Sequence, residues 1–251
     1  MRKLLIILFL LTLLLTATPV QSATMVSGRP CPGGATNTAL ANCSGPMTYT
    51  GSSGCLMRET FEGCAANCTS CTSGYTWTVF SGTPGCANTT TPLQGSQSYG
   101  GTADSTVIEI YTTQVAIDGY GELYGTFAMK IASCSTGYPI PFGFSNSTGA
   151  DVATISNAGE CRYRACTEDA CTAPTTLSAD TLYYVKLYTK KGTGANAIVQ
   201  WWTSTDGTTW TNRGSITDGA NTNNMGRPWV FYQSEQVKFD DVRVSTTDIN
   251  Y

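Results

Sequence analysis

The chain has 251 residues, with 14 lysine and arginine residues against 17 aspartate and glutamate residues, and only 12% of its residues are charged. So little charge disfavours coiled coils and charge-rich disorder. The lack of a basic stripe argues against a nucleic-acid partner. The sequence contains no histidine, which removes Ser-His-Asp and Cys-His catalysis, histidine-ligated metals and histidine pH switches.

The first 23 residues have the layout of a secretory signal peptide. A basic start at Arg2 and Lys3 precedes an apolar run over residues 4–15, and a segment with small residues follows up to Ala23. An apolar run of about 12 residues is too short for a membrane span, which needs about 20. We therefore expect a secreted or cell-surface protein that inserts nothing into a membrane once residues 1–23 are removed.

Eleven cysteines in an exported chain predict disulfide bonds. Seven lie between residues 31 and 86, and four lie between residues 134 and 171. The later four can pair among themselves. The early seven leave one over, which is free, pairs between chains or crosses to the later group. Residues 24–56 are rich in Gly, Pro, Ser, Thr and Cys, and we interpret them as a disulfide-rich extension preceding a main domain at residues 57–251.

From about Met57 onward, apolar and polar residues alternate with the period of two that is typical of strands. The alternating or β-branched runs, in chain order, are residues 106–113, 122–131, 181–189, 197–204, 229–233 and 236–245. No stretch has a sustained helical period. Many short strands separated by turn residues predict an all-β sandwich or barrel. Asp206-Gly207 also predicts a tight hairpin between two such runs, because this pair favours the positive φ angles that a two-residue turn requires.

Three groups of motifs occur in a fixed order along the chain. They are ETFEG at 59–63 with YTW at 75–77 and PLQGSQS at 92–98, then STDGTTW at 204–210, then FDDVRV at 239–244. Together they resemble concanavalin A-like lectin and glucanase domains of the laminin-G-like kind, over about residues 57–247. The resemblance implies an all-β, antiparallel jelly-roll β-sandwich, here with a disulfide-rich N-terminal extension. Residues 64–71 depart from the pattern as an insertion after the first strand.

The same resemblance implies one structural calcium ion that ties the first strand to the last. The residues that match this role are Glu59, Glu62, Asp240 and Asp241. Calcium takes oxygen ligands from several segments, and adjacent acids repel each other unless a cation or a basic side chain compensates them. The alternative is that Arg243 or Lys238 compensates the two aspartates, or that both aspartates face water.

Carbohydrate sites combine aromatic faces with amide and hydroxyl groups, and this chain has five Trp and thirteen Tyr. Neighbours on a strand point to opposite faces, so one residue of each pair in Trp201-Trp202 and Tyr183-Tyr184 should point away from the core. Such a residue is covered by a loop, buried between chains or available to a ligand. We assign Trp77 and Trp229 to the core. Our candidate ligand-binding residues are Trp201, Trp202, Trp210, Tyr184 and Tyr163, the last in a cysteine-flanked loop.

These features favour a secreted carbohydrate-binding, lectin-like or cell-surface recognition domain without catalytic activity, whose partner is a glycan or a cell-surface polysaccharide. One alternative is a structural or adhesive protein that self-assembles into homo-oligomers through edge strands or the odd cysteine. The other is a glycoside hydrolase, which needs two carboxylates about 5.5 Å or 6.5–9.5 Å apart. No strand carries such a pair on one face, so a hydrolase would need a cross-strand pair, and we assign no catalytic residue.

Overall fold

The computed structural model describes residues 55–64, 77–81, 92–100, 107–112, 117, 119–134, 142–217, 222, 225–233 and 237–249. The signal peptide and nearly all of the cysteine-rich extension lie outside these residues, so both stay predictions. The strands of the described residues are β1 (Cys55–Glu59), β2 (Thr78–Ser81), β3 (Val107–Tyr111), β4 (Glu122–Ile131), β5 (Phe142–Ser145), β6 (Asp151–Asn157), β7 (Arg162–Cys166), β8 (Thr175–Thr176), β9 (Leu182–Lys190), β10 (Ile198–Ser204), β11 (Thr211–Thr217), β12 (Arg227–Gln233) and β13 (Val237–Ser245). Among the described residues, the only helical segment is one 3-10 turn at Gly194–Asn196.

The strands form two sheets in which every neighbouring pair is antiparallel. One sheet has six strands in the order β1-β13-β4-β9-β10-β11. The other has seven strands in the order β2-β3-β12-β5-β6-β7-β8. This architecture confirms the predicted all-β antiparallel sandwich.

The core between the sheets is built by strand alternation. On β4, Leu123, Phe127 and Met129 are fully buried, while Tyr124 and Lys130 on the opposite face are only half-buried. The Phe127 ring meets the Phe142 ring from the other sheet, with 5.3 Å between the centroids. Aromatic pairs at this separation add to the energy of burial alone. The two sheets are therefore held together mainly by apolar side chains from their inner faces.

Gly125 on β4 shows how closely these layers approach. A Cβ atom at this position would lie 2.2 Å from the Phe142 ring. Since a close-packed interior cannot absorb such an overlap without moving its neighbours, β4 carries glycine where the phenylalanine rings of β5 need the space.

The Asp206-Gly207 prediction of a tight hairpin is wrong. Residues 205–210 form a wider loop between β10 and β11, and of this pair only Gly207 has a positive φ, of 76°. The Asp206 carboxylate instead accepts hydrogen bonds from the backbone N–H groups of Thr208 at 2.8 Å and Thr209 at 2.7 Å. These donors, that of Thr209 foremost, hold the pKa of Asp206 well below its ordinary value. The motif is thus a side-chain-stabilised loop, in which aspartate organises the backbone that follows it.

The ETFEG motif begins on β1 but is mostly a turn. β1 ends at Glu59, and Phe61 has a positive φ of 55°, which is unusual for an aromatic residue. The Phe61 ring is nevertheless buried, with its centroid 5.4 Å from that of Tyr99. Trp77 is 1% exposed, which confirms its predicted place in the core. The side chain of Trp229 lies outside the description.

The four later cysteines pair among themselves, one of the arrangements that the sequence left open, in the disulfides Cys134–Cys161 and Cys166–Cys171. Cys64 is also disulfide-bonded. These bonds agree with the expectation of an oxidising compartment. In the described part of the chain, no helix is long and apolar enough to cross a membrane.

Candidate functional site

Strand alternation sends the two adjacent tryptophans of β10 in opposite directions. Trp201 is 0% exposed and belongs to the core, whereas Trp202 is half-buried on the outer face of the six-stranded sheet. Tyr183 and Tyr184 on β9 divide in the same way, with Tyr184 on the outer face.

Two of the predicted ligand-binding residues are out of reach of a ligand. Trp201 is fully buried, and Tyr163 is 1% exposed among the core residues. Burial raises the pKa of Tyr163 to about 12. Tyr163 lies on β7 rather than in the predicted cysteine-flanked loop, and it contributes to packing. Trp202, Tyr184 and Trp210 remain as accessible candidates.

The outer face of the six-stranded sheet carries a group of half-buried aromatic side chains, which we call the aromatic face. Its members are Tyr124 on β4, Tyr184 and Tyr188 on β9, Trp202 on β10 and Trp210 in the following loop. Tyr124 lies opposite Tyr188, which lies opposite Gln200. The Tyr124 and Tyr188 ring centroids are 4.7 Å apart. The Tyr124 and Tyr188 rings thus pair across β4 and β9, and Trp202 lies opposite Lys186, where a solvated sheet face would ordinarily be polar.

Lys186 forms the centre of the aromatic face. Its side chain is only 4% exposed, and its Nζ lies 4.4 Å from the Trp210 ring centroid and 5.8 Å from that of Trp202. The same Nζ donates to Asp248 Oδ1 at 2.5 Å. Desolvated ammonium–indole contacts of this kind are attractive by about 2 kcal/mol. Lys186 therefore fixes both indole rings, and it ties the segment that follows β13 to the sheet.

Polar groups lie beside these rings. The Tyr188 hydroxyl donates to Glu122 Oε2 at 3.0 Å, and burial together with this carboxylate raises the pKa of Tyr188. Gln200 is half-buried beside Tyr188, and Asn212 lies opposite Trp202 on the exposed strand β11. Apolar rings bordered by amide and carboxylate groups are the surface that binds sugar rings and their hydroxyls.

Sequence reasoning missed Tyr124, Tyr188, Lys186 and Gln200. The signal was present, because the alternation within residues 122–131 and 181–189 already separated these side chains from the core-facing ones. What the sequence lacked was the order of the strands, which sets β4, β9 and β10 side by side.

The four predicted metal ligands lie together at another place, which we call the carboxylate end. Glu59 is fully buried there and accepts hydrogen bonds from the Phe61 backbone N–H at 2.7 Å and the Trp77 indole N–H at 3.0 Å. Buried charges are tolerated when hydrogen bonds satisfy them. The first glutamate of the ETFEG motif thus holds the turn that follows β1 against the tryptophan of the YTW motif.

Glu62 holds the loop at residues 92–98. Its carboxylate accepts hydrogen bonds from the backbone N–H groups of Ser96 at 2.8 Å and Gln97 at 3.2 Å, and from the Ser96 hydroxyl. Burial tends to raise the pKa of Glu62, but these donors outweigh it and leave the pKa below its ordinary value. A Cβ atom on Gly95, which has a φ of 57°, would lie 1.9 Å from Glu62 Oε1. This contact explains why glycine precedes the serine in the PLQGSQS motif.

Asp241 is compensated by two arginines. Arg58 Nε lies 2.7 Å from its Oδ1, and Arg243 Nη2 lies 2.5 Å from its Oδ2. Burial alone would raise the pKa of Asp241, but the hydrogen bonds and positive charges of Arg243 and Arg58 lower it. Arginine therefore compensates this aspartate, which is one of the alternatives that the sequence left open.

Asp240 differs from the other three carboxylates. It is 1% exposed and accepts hydrogen bonds from the backbone N–H groups of Gln94 at 3.1 Å and Asp241 at 2.8 Å. None of the ion pairs between described residues includes it. Burial raises its pKa to about 8, and the charges of Asp241 and Glu62 act in the same direction.

Within the ranges that the structure describes, no group of three or more His, Cys, Asp and Glu side chains has the geometry of a metal site. Glu59, Glu62 and Asp241 already accept hydrogen bonds from protein donors. Asp240 also accepts hydrogen bonds, but it differs from Asp241 in that no ion pair between described residues includes it. Because it is 1% exposed, Asp240 also lies out of reach of a polysaccharide, so it is a poor acid for a glycosidase.

No protein-family model matches the chain, and no curated protein matches it in sequence. Solved structures do resemble it. A mutant of Trypanosoma rangeli sialidase displaying trans-sialidase activity superposes with a TM-score of 0.52 at 11% identity, over 78% of this chain and 31% of the sialidase. The receptor-binding domain of botulinum neurotoxin type G gives 0.51 at 9% identity, over 79% of this chain and 49% of that domain.

The binding domain of botulinum neurotoxin DC in complex with SialylT gives a TM-score of 0.50 at 12% identity, over 78% of this chain and 48% of the other. The chain therefore spans between about a third and a half of the length of these structures. At such low identity the likeness shows a shared fold. That fold is a β-sandwich of the jelly-roll kind, consistent with the concanavalin A-like architecture that the motifs resemble.

Proposed function

We propose that this protein is a non-catalytic carbohydrate-binding domain and that the aromatic face is its sugar-binding surface. The observation that carries the proposal is the group of half-buried rings around Lys186, bordered by Gln200 and Asn212. Aromatic rings stack against the C–H faces of sugars, and amide groups bind their hydroxyls. A lectin, unlike a hydrolase, needs no pair of accessible carboxylates.

The rings are well suited to binding because the protein already holds them in place. Trp202 and Trp210 are fixed by Lys186, while Tyr124 and Tyr188 support each other. A preorganised surface spends less of its binding free energy on ordering side chains. The absence of histidine from the whole chain also restricts this surface to recognition chemistry that does not depend on imidazole.

The test is a glycan array probed with the secreted protein, in the presence and absence of a chelator. The glycan that binds best is then titrated against Trp202→Ala and Tyr188→Ala. Each variant should weaken binding by about tenfold or more. Thr211→Ala, an exposed substitution at the start of β11, is the matched control and should bind like the wild type. Binding to no glycan under any condition would rule against the proposal.

The second candidate function is self-assembly, because half-exposed aromatic side chains also suit an interface with another copy. β11 is an edge strand with several exposed residues, and edge strands can pair with another chain. Light scattering coupled to sizing separates the two functions. A monomer at all concentrations would reject assembly, whereas a dimer abolished by Trp202→Ala would favour it.

We also propose that the carboxylate end binds one calcium ion through Asp240 and Glu62, with backbone oxygens and water as further ligands. Support comes from the burial of Asp240 without a basic partner among the described residues and from the preference of calcium for carboxylate oxygens of different segments. Calcium should raise the melting temperature of the wild type but not that of Asp240→Asn. An equal rise in the melting temperatures of both proteins would show that calcium does not bind at Asp240.

A further inference from the structure

The seven-stranded sheet holds an arginine that plays no part in the aromatic face. Arg227 begins β12 and lies opposite Ser145 on β5. Their next neighbours, Pro228 and Phe144, also lie opposite each other and are buried. Because successive strand residues point to opposite faces, Arg227 and Ser145 lie on the outer face of this sheet, away from the core.

Three contacts fix the Arg227 guanidinium. Its Cζ lies 3.7 Å from the centroid of the Tyr111 ring, and its Nε lies 3.3 Å from Ser145 Oγ, to which it donates. Gly149, with a φ of 97°, provides the space for Nη2, because a Cβ atom there would lie only 2.7 Å away. The guanidinium is thus held by an aromatic ring, a hydroxyl and a glycine turn.

None of these contacts neutralises the charge. No ion pair between described residues includes Arg227. The acid placed closest by register is Asp151, opposite Ser145 on the far side from Arg227. Burial and the charge of Glu168 raise the pKa of Asp151, and no ion pair between described residues includes it. An oriented guanidinium fork that forms no ion pair with a described residue is suited to an anionic group with two adjacent oxygens.

We propose that Arg227, held by the Tyr111 ring and by the buried Ser145 hydroxyl, forms a second binding site, which takes the carboxylate or sulfate group of an acidic glycan. Guanidinium groups bind both anions through two parallel N–H donors. The site lies on the other sheet from the aromatic face, and it does not depend on the sugar-binding function proposed above. A positively charged site would make the chain prefer acidic glycans over neutral ones. The aromatic face does not supply this preference, because the Glu122 carboxylate lies at its border.

The experiment uses the full secreted protein and three ligand classes in calorimetric or interferometric titrations. These are oligogalacturonate for carboxylate, a sulfated oligosaccharide for sulfate, and carboxyl-reduced oligogalacturonate as the neutral counterpart. The wild type should prefer at least one acidic ligand over the neutral one, and the preference should weaken with salt. The acidic class that binds more tightly identifies the anionic group. Equal binding of all three classes would overturn the proposal.

Arg227→Gln should weaken acidic binding by about tenfold or more, because a charge-assisted hydrogen bond is lost, and should leave neutral binding unchanged. Arg162→Gln is the matched control, since it removes the same charge from an exposed arginine that donates to the backbone oxygens of Ala158 and Gly159. Equal losses in the two variants would show a general charge effect and reject the site.

Two further variants test the geometry of the guanidinium and the location of the acidic site. Arg227→Lys retains the charge but loses the fork and the stacking on Tyr111, so acidic binding should still fall; wild-type affinity would overturn the proposed geometry. Trp202→Ala should keep acidic binding even where neutral binding is lost. If Trp202→Ala abolishes acidic binding while Arg227→Gln does not, acidic glycans bind at the aromatic face instead. Melting temperatures of all variants identify any that fail to fold, in which case Ser145→Ala replaces Arg227→Gln.

Discussion

The carboxylate end and the aromatic face lie on the same sandwich but differ in how completely the protein satisfies its own side chains. At the carboxylate end, Glu59, Glu62 and Asp241 each accept hydrogen bonds from protein donors. On the aromatic face, half-buried rings are held in position but keep part of their surface open to solvent. Buried charged groups whose hydrogen bonds are satisfied stabilise the fold, whereas oriented rings with exposed surface are available to bind a ligand.

The difference also separates substitutions that should unfold the protein from those that should change only what it binds. The carboxylate end connects β1, the loop at 92–98 and β13, which are far apart in sequence. On the aromatic face, Lys186 binds Asp248 in the segment after β13, and the Tyr184 hydroxyl accepts a hydrogen bond from Gln94 in the loop at 92–98. The two regions thus meet at Gln94, and stability should depend mainly on the carboxylate end and binding mainly on the exposed rings.

The largest effect is expected at Asp241. Asp241→Ala should lower the free energy of unfolding by about 3–5 kcal/mol, because it leaves two arginines, one of them buried, without their acid. Urea denaturation measures the change. Asp180→Asn, which removes the charge of the exposed pair with Lys130 and keeps a residue that tolerates the positive φ of 56° at this position, is the control and should leave stability close to that of the wild type. Similar losses in both variants would contradict a structural role for the carboxylate end.

The second effect is a dependence on pH from Asp240. Its pKa is raised to about 8 in the folded protein, whereas an unfolded aspartate ionises near its ordinary value of about 4. The unfolded chain therefore releases this proton first, and stability should fall as the pH rises from about 4 to 8. Glu62 and Asp241, whose pKa values are lowered, contribute only below this window.

Melting temperatures recorded in chelator between pH 5 and pH 8 provide the measurement. The wild type should lose stability across this range, and Asp240→Asn should flatten the profile because it removes the titrating group. A wild-type profile that is already flat would show that Asp240 is not buried as an acid.

A smaller effect is expected from Gly95→Ala. The left-handed backbone at Gly95 costs a non-glycine residue about 1–2 kcal/mol, and the new methyl group would displace the Glu62 carboxylate. Proteolysis within residues 92–98 should become faster, while glycan affinity should fall less than in Trp202→Ala, because this loop meets the aromatic face at Tyr184, through Gln94. Wild-type resistance to protease would argue against Glu62 as the anchor of this loop.

The smallest effect on stability is expected from Tyr188→Phe. This change removes only the hydroxyl that donates to Glu122 at an exposed position, so the free energy of unfolding should change by less than about 1 kcal/mol. Glycan affinity should remain within a few-fold of wild type, because the ring stays in place. A loss as large as that of Tyr188→Ala would show that the hydroxyl, rather than the ring, binds sugar.

Several features of the fold could be predicted from the sequence because they are local. The runs at 122–131 and 181–189 became β4 and β9, since their alternation reports one buried face. β5, β7 and β8 were missed because they are short. β6 has seven residues, but four consecutive ones are buried, so it lacks the alternation that marks a strand with one buried face. β11 was missed because it is an edge strand of mostly polar residues without a buried face.

The site was harder to predict because its contacts join distant segments. The sequence singled out Glu62 and Asp241 as acids, but not the Ser96 and Arg58 groups that they bind. It named Trp202 without Lys186, although cross-strand pairing sets them side by side. Arg227 was not singled out at all, since its partner Tyr111 lies on another strand.

The most direct test of the central claim is chemical-shift mapping of the labelled protein during titration with the best glycan from the array. Sugar binding at the aromatic face predicts the largest shifts at the Trp202 and Trp210 indole N–H groups and along β9. Saturable binding whose shifts occur only in the seven-stranded sheet, with those indole signals unmoved, would contradict it.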